Sequence, residues 1–153
     1  MGAEARIKEL NLELPAPAKP AGTYLPAVRV GNLVYVSGHG PMRADGTQIR
    51  GVVGRDLSEE EGKEAARVVG LGILSTLQNF LGSLDKVKRL VKVLGMVNAA
   101  PDFEHHPAVI NGFSDLMVEV FGESGRGARS AVGMGTLPFK IAVEVEAIFE
   151  VED

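Results

Sequence analysis

An arginine near the start of a small-residue strand is the first candidate for chemistry in this chain. Gly127-Ala128-Arg129-Ser130-Ala131-Val132-Gly133-Met134-Gly135-Thr136-Leu137-Pro138 is otherwise made of small and apolar residues. Side chains alternate across a strand, so Arg129, Ala131, Gly133 and Gly135 share one face. That face is nearly bare and leaves the guanidinium room for a small molecule. Its planar fork can make two parallel charge-assisted hydrogen bonds to a carboxylate. From spacing alone, an arginine paired with a neighbouring acid or exposed at a strand edge is the favoured reading. Acids follow in Val143-Glu144-Val145-Glu146-Ala147. A carboxylate such as Glu144, placed near a reacting carbon, can orient water or relay a proton. The plainer reading makes Glu144, Glu146 and Glu150 the solvated side of an amphipathic strand, with Val143, Val145, Ala147, Phe149 and Val151 on the other side.

Other side chains carry less. Ser37 has no evident base and acid partners, so it is not a nucleophile. His105-His106 stand close to Asp102 and Glu104, but adjacent histidines tend to point apart and no third ligand is placed. A solvated loop without metal is expected there. His39, between two glycines, is either a cleft contact or a turn histidine.

The elements that must position these groups follow from patterning. Ala27 to Val30 and Leu33 to Ser37 read as strands around a Gly31-Asn32 turn. Asp45-Gly46 marks another turn, with Thr47 to Val53 returning as a strand. Ser58 and Glu61 form a capping box, and Ala66, Val69, Ile73, Leu77, Phe80 and Leu84 recur at helical spacing. Gly70 and Gly72 allow that helix to approach a sheet, and Gly82 ends it. Val87 to Ala99 is an apolar, β-branched strand ended by Pro101. Pro107 opens a second helix with Ile110, Phe113, Met117, Val120 and Phe121 on its core face, and Gly122 closes it. Ala128 to Gly135 and Ile141 to Val151 are the last strands. Ala5 to Leu14 fits either strand or helix, and Pro15 to Pro20 is an extended connector. The order gives an α+β domain with helices on one face of a mixed sheet. The other face would be bare on a monomer, so sheets of several subunits are expected to meet.

Composition narrows the classes of function. A length of 153 residues suits one domain with a real core. The net charge of −4, scattered basic residues and few aromatics disfavour nucleic acid as partner. No cysteine is present, which excludes disulfides and thiolate chemistry and fits a cytoplasmic protein. Met1 to Leu14 lacks the apolar core of a signal peptide, and no stretch is long and apolar enough for a membrane span.

Two separated blocks carry a family resemblance. Ala128-Arg129-Ser130 with Val132, then Leu137-Pro138 and Val143 to Ala147, closely resemble the end of the YjgF/RidA family, the reactive-imine deaminases. Tyr24 with Gly31-Asn32-Leu33-Val34-Tyr35-Val36-Ser37-Gly38-His39-Gly40-Pro41 resembles that family's first hairpin. The resemblance covers about Tyr24 to Val151. It implies a chorismate-mutase-like α+β fold, with two helices on one face of a mixed sheet, and a homotrimer with active sites between subunits. Residues 24–153 would form that domain, and residues 1–23 an N-terminal arm and Pro-rich connector. Arg129 matches the family arginine that holds the substrate carboxylate, and Glu144 matches a glutamate associated with positioning or activating water. Tyr24 matches a tyrosine near the cleft, and Ser37 and Gly38 match the strand end lining the pocket. Backbone groups around Gly38 and Ala131 would contribute to binding. Asn111 resembles an asparagine at the start of the second helix, or lies with Asp115 on a solvated helix face.

The departures concern the pocket. Gly127 precedes the Ala-Arg pair, Ala131 stands where many relatives carry cysteine, and His39 stands where many carry glutamine. The activity implied is hydrolysis of 2-imino or enamine acids to 2-oxo acids and ammonia, without cofactor or metal. The partner implied is a small carboxylate-bearing metabolite. The alternatives are a non-catalytic carboxylate-binding module and, third, a ribonuclease, which the acidic charge disfavours.

Overall fold

The computed structural model describes residues 1–153. Local signals set the long elements. Ser58 Oγ accepts from the Glu61 amide while the Glu61 carboxylate accepts from the Ser58 amide, opening helix α2, Glu59–Leu81. Gly82, at φ 86°, closes it in the left-handed conformation. Pro107 lies in the first turn of α3, His106–Phe121, which ends at Gly122. The N-terminal ambiguity resolves as a short helix, α1, Ala3–Glu9, whose Ala3 and Ile7 join the main core.

Five strands form one sheet: β1 (Ala27–Val30), β2 (Leu33–His39), β3 (Val87–Asn98), β4 (Ala128–Met134) and β5 (Val143–Val151). Their spatial order is β1-β2-β5-β3-β4, with only the β3–β4 pair parallel. The parallel pair needs a crossover, and α3 supplies it. The alternation of β5 holds: Val143, Val145, Ala147, Phe149 and Val151 are buried against the helices, while Glu144, Glu146, Ile148 and Glu150 face away. The face away from the helices carries Val28, Tyr35 and Val132, each at least 38% exposed. No helix is long and apolar enough to cross a membrane.

Three expectations change. Thr47 to Val53 is not a regular strand; it makes isolated bridges, Arg50 to Ile141 and Val53 to Ala99 among them. Gly51, at φ 127°, breaks the extended path, and Gly54, at φ 93°, turns the chain just after it. Phe80 is 41% exposed, because the buried stripe continues from Leu77 to Leu81 four residues on. Gly70 meets Leu116 and Phe113 of α3 rather than the sheet.

The tightest helix contact lies between α2 and α3. A Cβ at Gly112 would collide with the Lys63 backbone carbonyl, whereas one at Gly72 would find its nearest atom 3.9 Å away. Gly112→Ala is therefore expected to cost about 1–3 kcal/mol or more by forcing the helices apart. Gly72→Ala should be neutral or stabilise by up to about 1 kcal/mol through helix propensity. Urea unfolding of both variants checks the contrast.

Candidate functional site

Four of the sequence candidates gather at one place. Tyr24, Ser37, Gly38 and Glu144 line a cleft of about 740 Å³. It lies where β2 ends beside β5 under residues of the N-terminal connector. A β-bulge shapes its floor. Val36 pairs with Ala147 and His39 with Val145, so β2 carries one extra residue against β5. The bulge turns His39 inward, where simple alternation would point it away from the helices. His39 Nδ1 donates to the Ser37 carbonyl at 2.7 Å, and Nε2 accepts from the Thr76 hydroxyl of α2 at 2.7 Å. Burial pushes the His39 pKa down, against the smaller opposing effect of the Ser37 bond. The ring therefore stays neutral and locks the bulge.

The bulge also brings Gly38 against Glu144. A Cβ at residue 38 would collide with the Glu144 carboxylate. Glu144 accepts no hydrogen bond and pairs with no cation. Partial burial, and secondarily the Glu146 charge, push its pKa up. A half-buried carboxylate of that kind can exchange protons with a bound water. The Ser37 hydroxyl donates to the Leu25 carbonyl at 2.6 Å, which agrees with its lack of a nucleophile's partners. Tyr24 Oη accepts from the Ala21 amide at 3.2 Å, so this tyrosine ties the connector to the cleft.

Arg129, Asn111 and Ala131 form a second cluster elsewhere. Arg129 pairs with Val93 and thus faces the helices, at the sheet's β4 edge. The face expected to be bare is roofed by α3. Arg129 Nη1 donates to Asn111 Oδ1 at 2.8 Å and Ser114 Oγ at 3.2 Å, and Nη2 makes a long contact to the Pro107 carbonyl at 3.5 Å. All three acceptors are neutral, and Nε has no partner. The guanidinium is held in place without losing its charge, and its Nε edge remains free for an anion. Asn111 therefore orients Arg129 rather than lying on a solvated face with Asp115. Ala131, paired with Gly95, lines the same edge.

The two clusters do not meet within one chain. Glu144 pairs with Met96 on the face away from the helices, and two strand spacings plus the thickness of the sheet lie between it and Arg129. The histidine pair also separates. His105 Nδ1 lies 2.6 Å from Glu59 Oε1, while the His106 ring packs toward Gly133. Sequence reading missed Ser114, Thr76 and the connector's place on the cleft. Ser114 had a signal, three residues after Asn111 on one helix face. The other two depend on contacts distant in sequence.

The sequence profile of the YjgF/chorismate-mutase-like family matches residues 4–150. This chain belongs to the YjgF/RidA family. It is 44% identical to Protein TCP17 of Trypanosoma cruzi, over 97% of this chain and 94% of that one. It is 31% identical to the 2-iminobutanoate/2-iminopropanoate deaminase of Dermatophagoides farinae, over 92% of this chain and 95% of that one. A crystal structure of the protein Atu1372, of unknown function, from Agrobacterium tumefaciens superposes with a TM-score of 0.89 at 41% identity, covering 99% of this chain and 92% of that one.

The Glu144 environment gives a testable sign. Its folded pKa is raised, so the stability linked to it is fully present below the unfolded-state pKa and is lost as pH rises through the folded pKa. Glu144→Gln should thus raise the Tm at pH 7, with the gain vanishing in acid below the ordinary carboxylate pKa. Glu146→Gln should lower the Glu144 pKa, read by NMR of its side-chain carboxyl carbon.

Proposed function

We propose that this protein hydrolyses 2-imino and enamine acids to 2-oxo acids and ammonia, at clefts completed between subunits of a homotrimer. Arg129, Asn111 and Ala131 of one subunit would meet Tyr24, Ser37, Gly38 and Glu144 of the next. The observation that carries this reading is an arginine oriented by neutral acceptors, with its Nε edge open. Such a fork suits the substrate carboxylate. The uncovered apolar sheet face supports assembly, because patches of that kind are rarely left on a monomer. Relatedness to an imine deaminase at 31% identity supports the reaction class.

The chemistry is spare. The protonated imine carbon is already electrophilic, and the Arg129 fork would fix the carboxylate next to it. Glu144 would take a proton from water as its oxygen bonds to that carbon. Glu144 would return the proton to the carbinolamine nitrogen; as the C–N bond breaks and ammonia leaves, the hydroxyl would lose its proton to Glu144 to form the carbonyl, and that proton would pass to ammonia, giving ammonium. The C=N bond is thereby exchanged for C=O at the cost of one water. An enamine would first be protonated on its β-carbon. Orientation and electrostatics supply the acceleration, and the steps call for no cofactor or metal.

The test uses 2-iminopropanoate and 2-iminobutanoate generated by an amino-acid oxidase. The wild type should hasten their loss, and a folded Arg129→Ala trimer should lose at least about a hundredfold of that kcat/KM, the scale of a charge-assisted bidentate contact. Binding of 2-oxo acids without any turnover would make the chain a carboxylate-binding module instead. A stable monomer, read by light scattering, would remove the shared cleft.

A further inference from the structure

An enamine needs a proton on its β-carbon before water can add to the α-carbon. Glu144 would be occupied with water and nitrogen, and Arg129 with the carboxylate. Only the α-carbon separates that carboxylate from the carbon to be protonated. The proton donor must therefore stand close to the arginine.

His106 stands in that region. A Cβ at Gly133 would come within 2.7 Å of His106 Nε2, so the ring lies on the β4 backbone. Gly133 is four residues along β4 from Arg129 and on the same face, with only Ala131 between them on that face. Arg129 Nη2 contacts the carbonyl of Pro107, the residue next to His106, so guanidinium and imidazole share the first turn of α3. Nη1 is taken by Asn111 and Ser114. A carboxylate would therefore dock on the Nε–Nη2 edge, on the Pro107 side. The small residues Ala131 and Gly133 let the rest of the molecule lie along the strand toward His106.

The imidazole is held in place by packing alone. Phe103 meets it edge-on, with ring centroids 5.3 Å apart and planes at 74°, and Phe103 itself packs on Gly54. His105 is drawn away to Glu59, and His39 is engaged by Ser37 and Thr76. No hydrogen bond or ion pair engages either ring nitrogen of His106. An imidazole gains and loses a proton near neutral pH, as repeated proton donation requires.

We propose that His106 is the general acid that protonates the β-carbon of enamine substrates. The inference rests on the deaminase reading for the identity of the substrate. The enamine C=C pair takes the proton from the imidazolium Nε2 as the nitrogen lone pair closes the C=N bond. A 2-iminium acid and a neutral imidazole result. His106 recovers its proton from solvent, and water then adds to the iminium carbon.

The test compares two tautomers and reads which face of the carbon is protonated. An amino-acid oxidase releases 2-iminobutanoate, and a threonine dehydratase releases its enamine, 2-aminobut-2-enoate. In deuterium oxide the enamine acquires one deuterium at C3. Lactate dehydrogenase traps the 2-oxobutanoate as it forms, and proton NMR distinguishes the two C3 epimers of the labelled 2-hydroxybutanoate. The wild type should move the label toward one epimer, relative to the dehydratase alone. His106→Gln should return the label to that baseline. It should also lower the ratio of enamine to imine turnover at least about tenfold, a modest share of what a general acid contributes. If His106→Gln fails to fold, Gly133→Ala, which pushes the ring aside, carries the same expectation for the label. A label at baseline with a wild type that hydrolyses 2-iminobutanoate would overturn the donor role and leave the deaminase reading standing. Label and turnover ratio unchanged in a folded His106→Gln would assign the proton to another group and overturn it as well. Hydrolysis of neither tautomer would remove the deaminase reading, and this step with it.

Discussion

Side chains alternate across a strand, and the order β1-β2-β5-β3-β4 converts that alternation into a separation of charges. Arg129 shares the helix face with Val93 and Ala147, while Glu144 shares the opposite face with Met96. No rotamer brings the two together in one chain. Each cluster nevertheless has a defined environment. The guanidinium has neutral partners that aim it without cancelling its charge, and the carboxylate is half-buried with neither a cation nor a hydrogen-bond donor. Groups left in these conditions are costly in an isolated chain and useful to a ligand.

Local irregularities in the backbone hold the Glu144 half in shape. The extra residue in β2 reverses the direction of His39 and seats Gly38 against the carboxylate. The buried neutral imidazole then ties the Ser37 carbonyl to Thr76 of α2. At low pH this clamp weakens, because a histidine whose pKa is depressed on folding gives stability that is lost as protons return. The positive φ of Phe139 and Lys140 shapes the opposite rim. These features concentrate around one cleft, where strain can be offset by the surrounding sheet and helices.

Much of the scaffold was legible because its signals are local. The Ser58–Glu61 box, the left-handed Gly82, the Gly31-Asn32 turn and the alternation of β5 each need only a few neighbouring residues. The two clusters were legible as residue types but not as places. Whether β4 turns Arg129 toward the helices depends on its register with β3, and whether β5 turns Glu144 away depends on a second pairing. Pairings so distant in sequence leave no short-range trace. The bulge hid the inward turn of His39, since counting by twos through Ser37 and Gly38 gives the wrong face. Thr47 to Val53 looked like a strand by composition, but the positive φ of Gly51 and a lack of continuous pairing leave it as bridged loop. The connector carried no cue to its role beyond prolines that forbid regular structure.

The most direct measurement mixes two inactive proteins. Arg129→Ala and Glu144→Gln are purified separately, unfolded, combined in equal amounts and refolded together. If each site takes Arg129 from one subunit and Glu144 from the next, every mixed trimer regains one intact site. Random assembly then restores about a quarter of wild-type imine hydrolysis. Activity in the refolded mixture no higher than in the separate variants, with mixed trimers confirmed by native mass spectrometry, would contradict a site shared between copies.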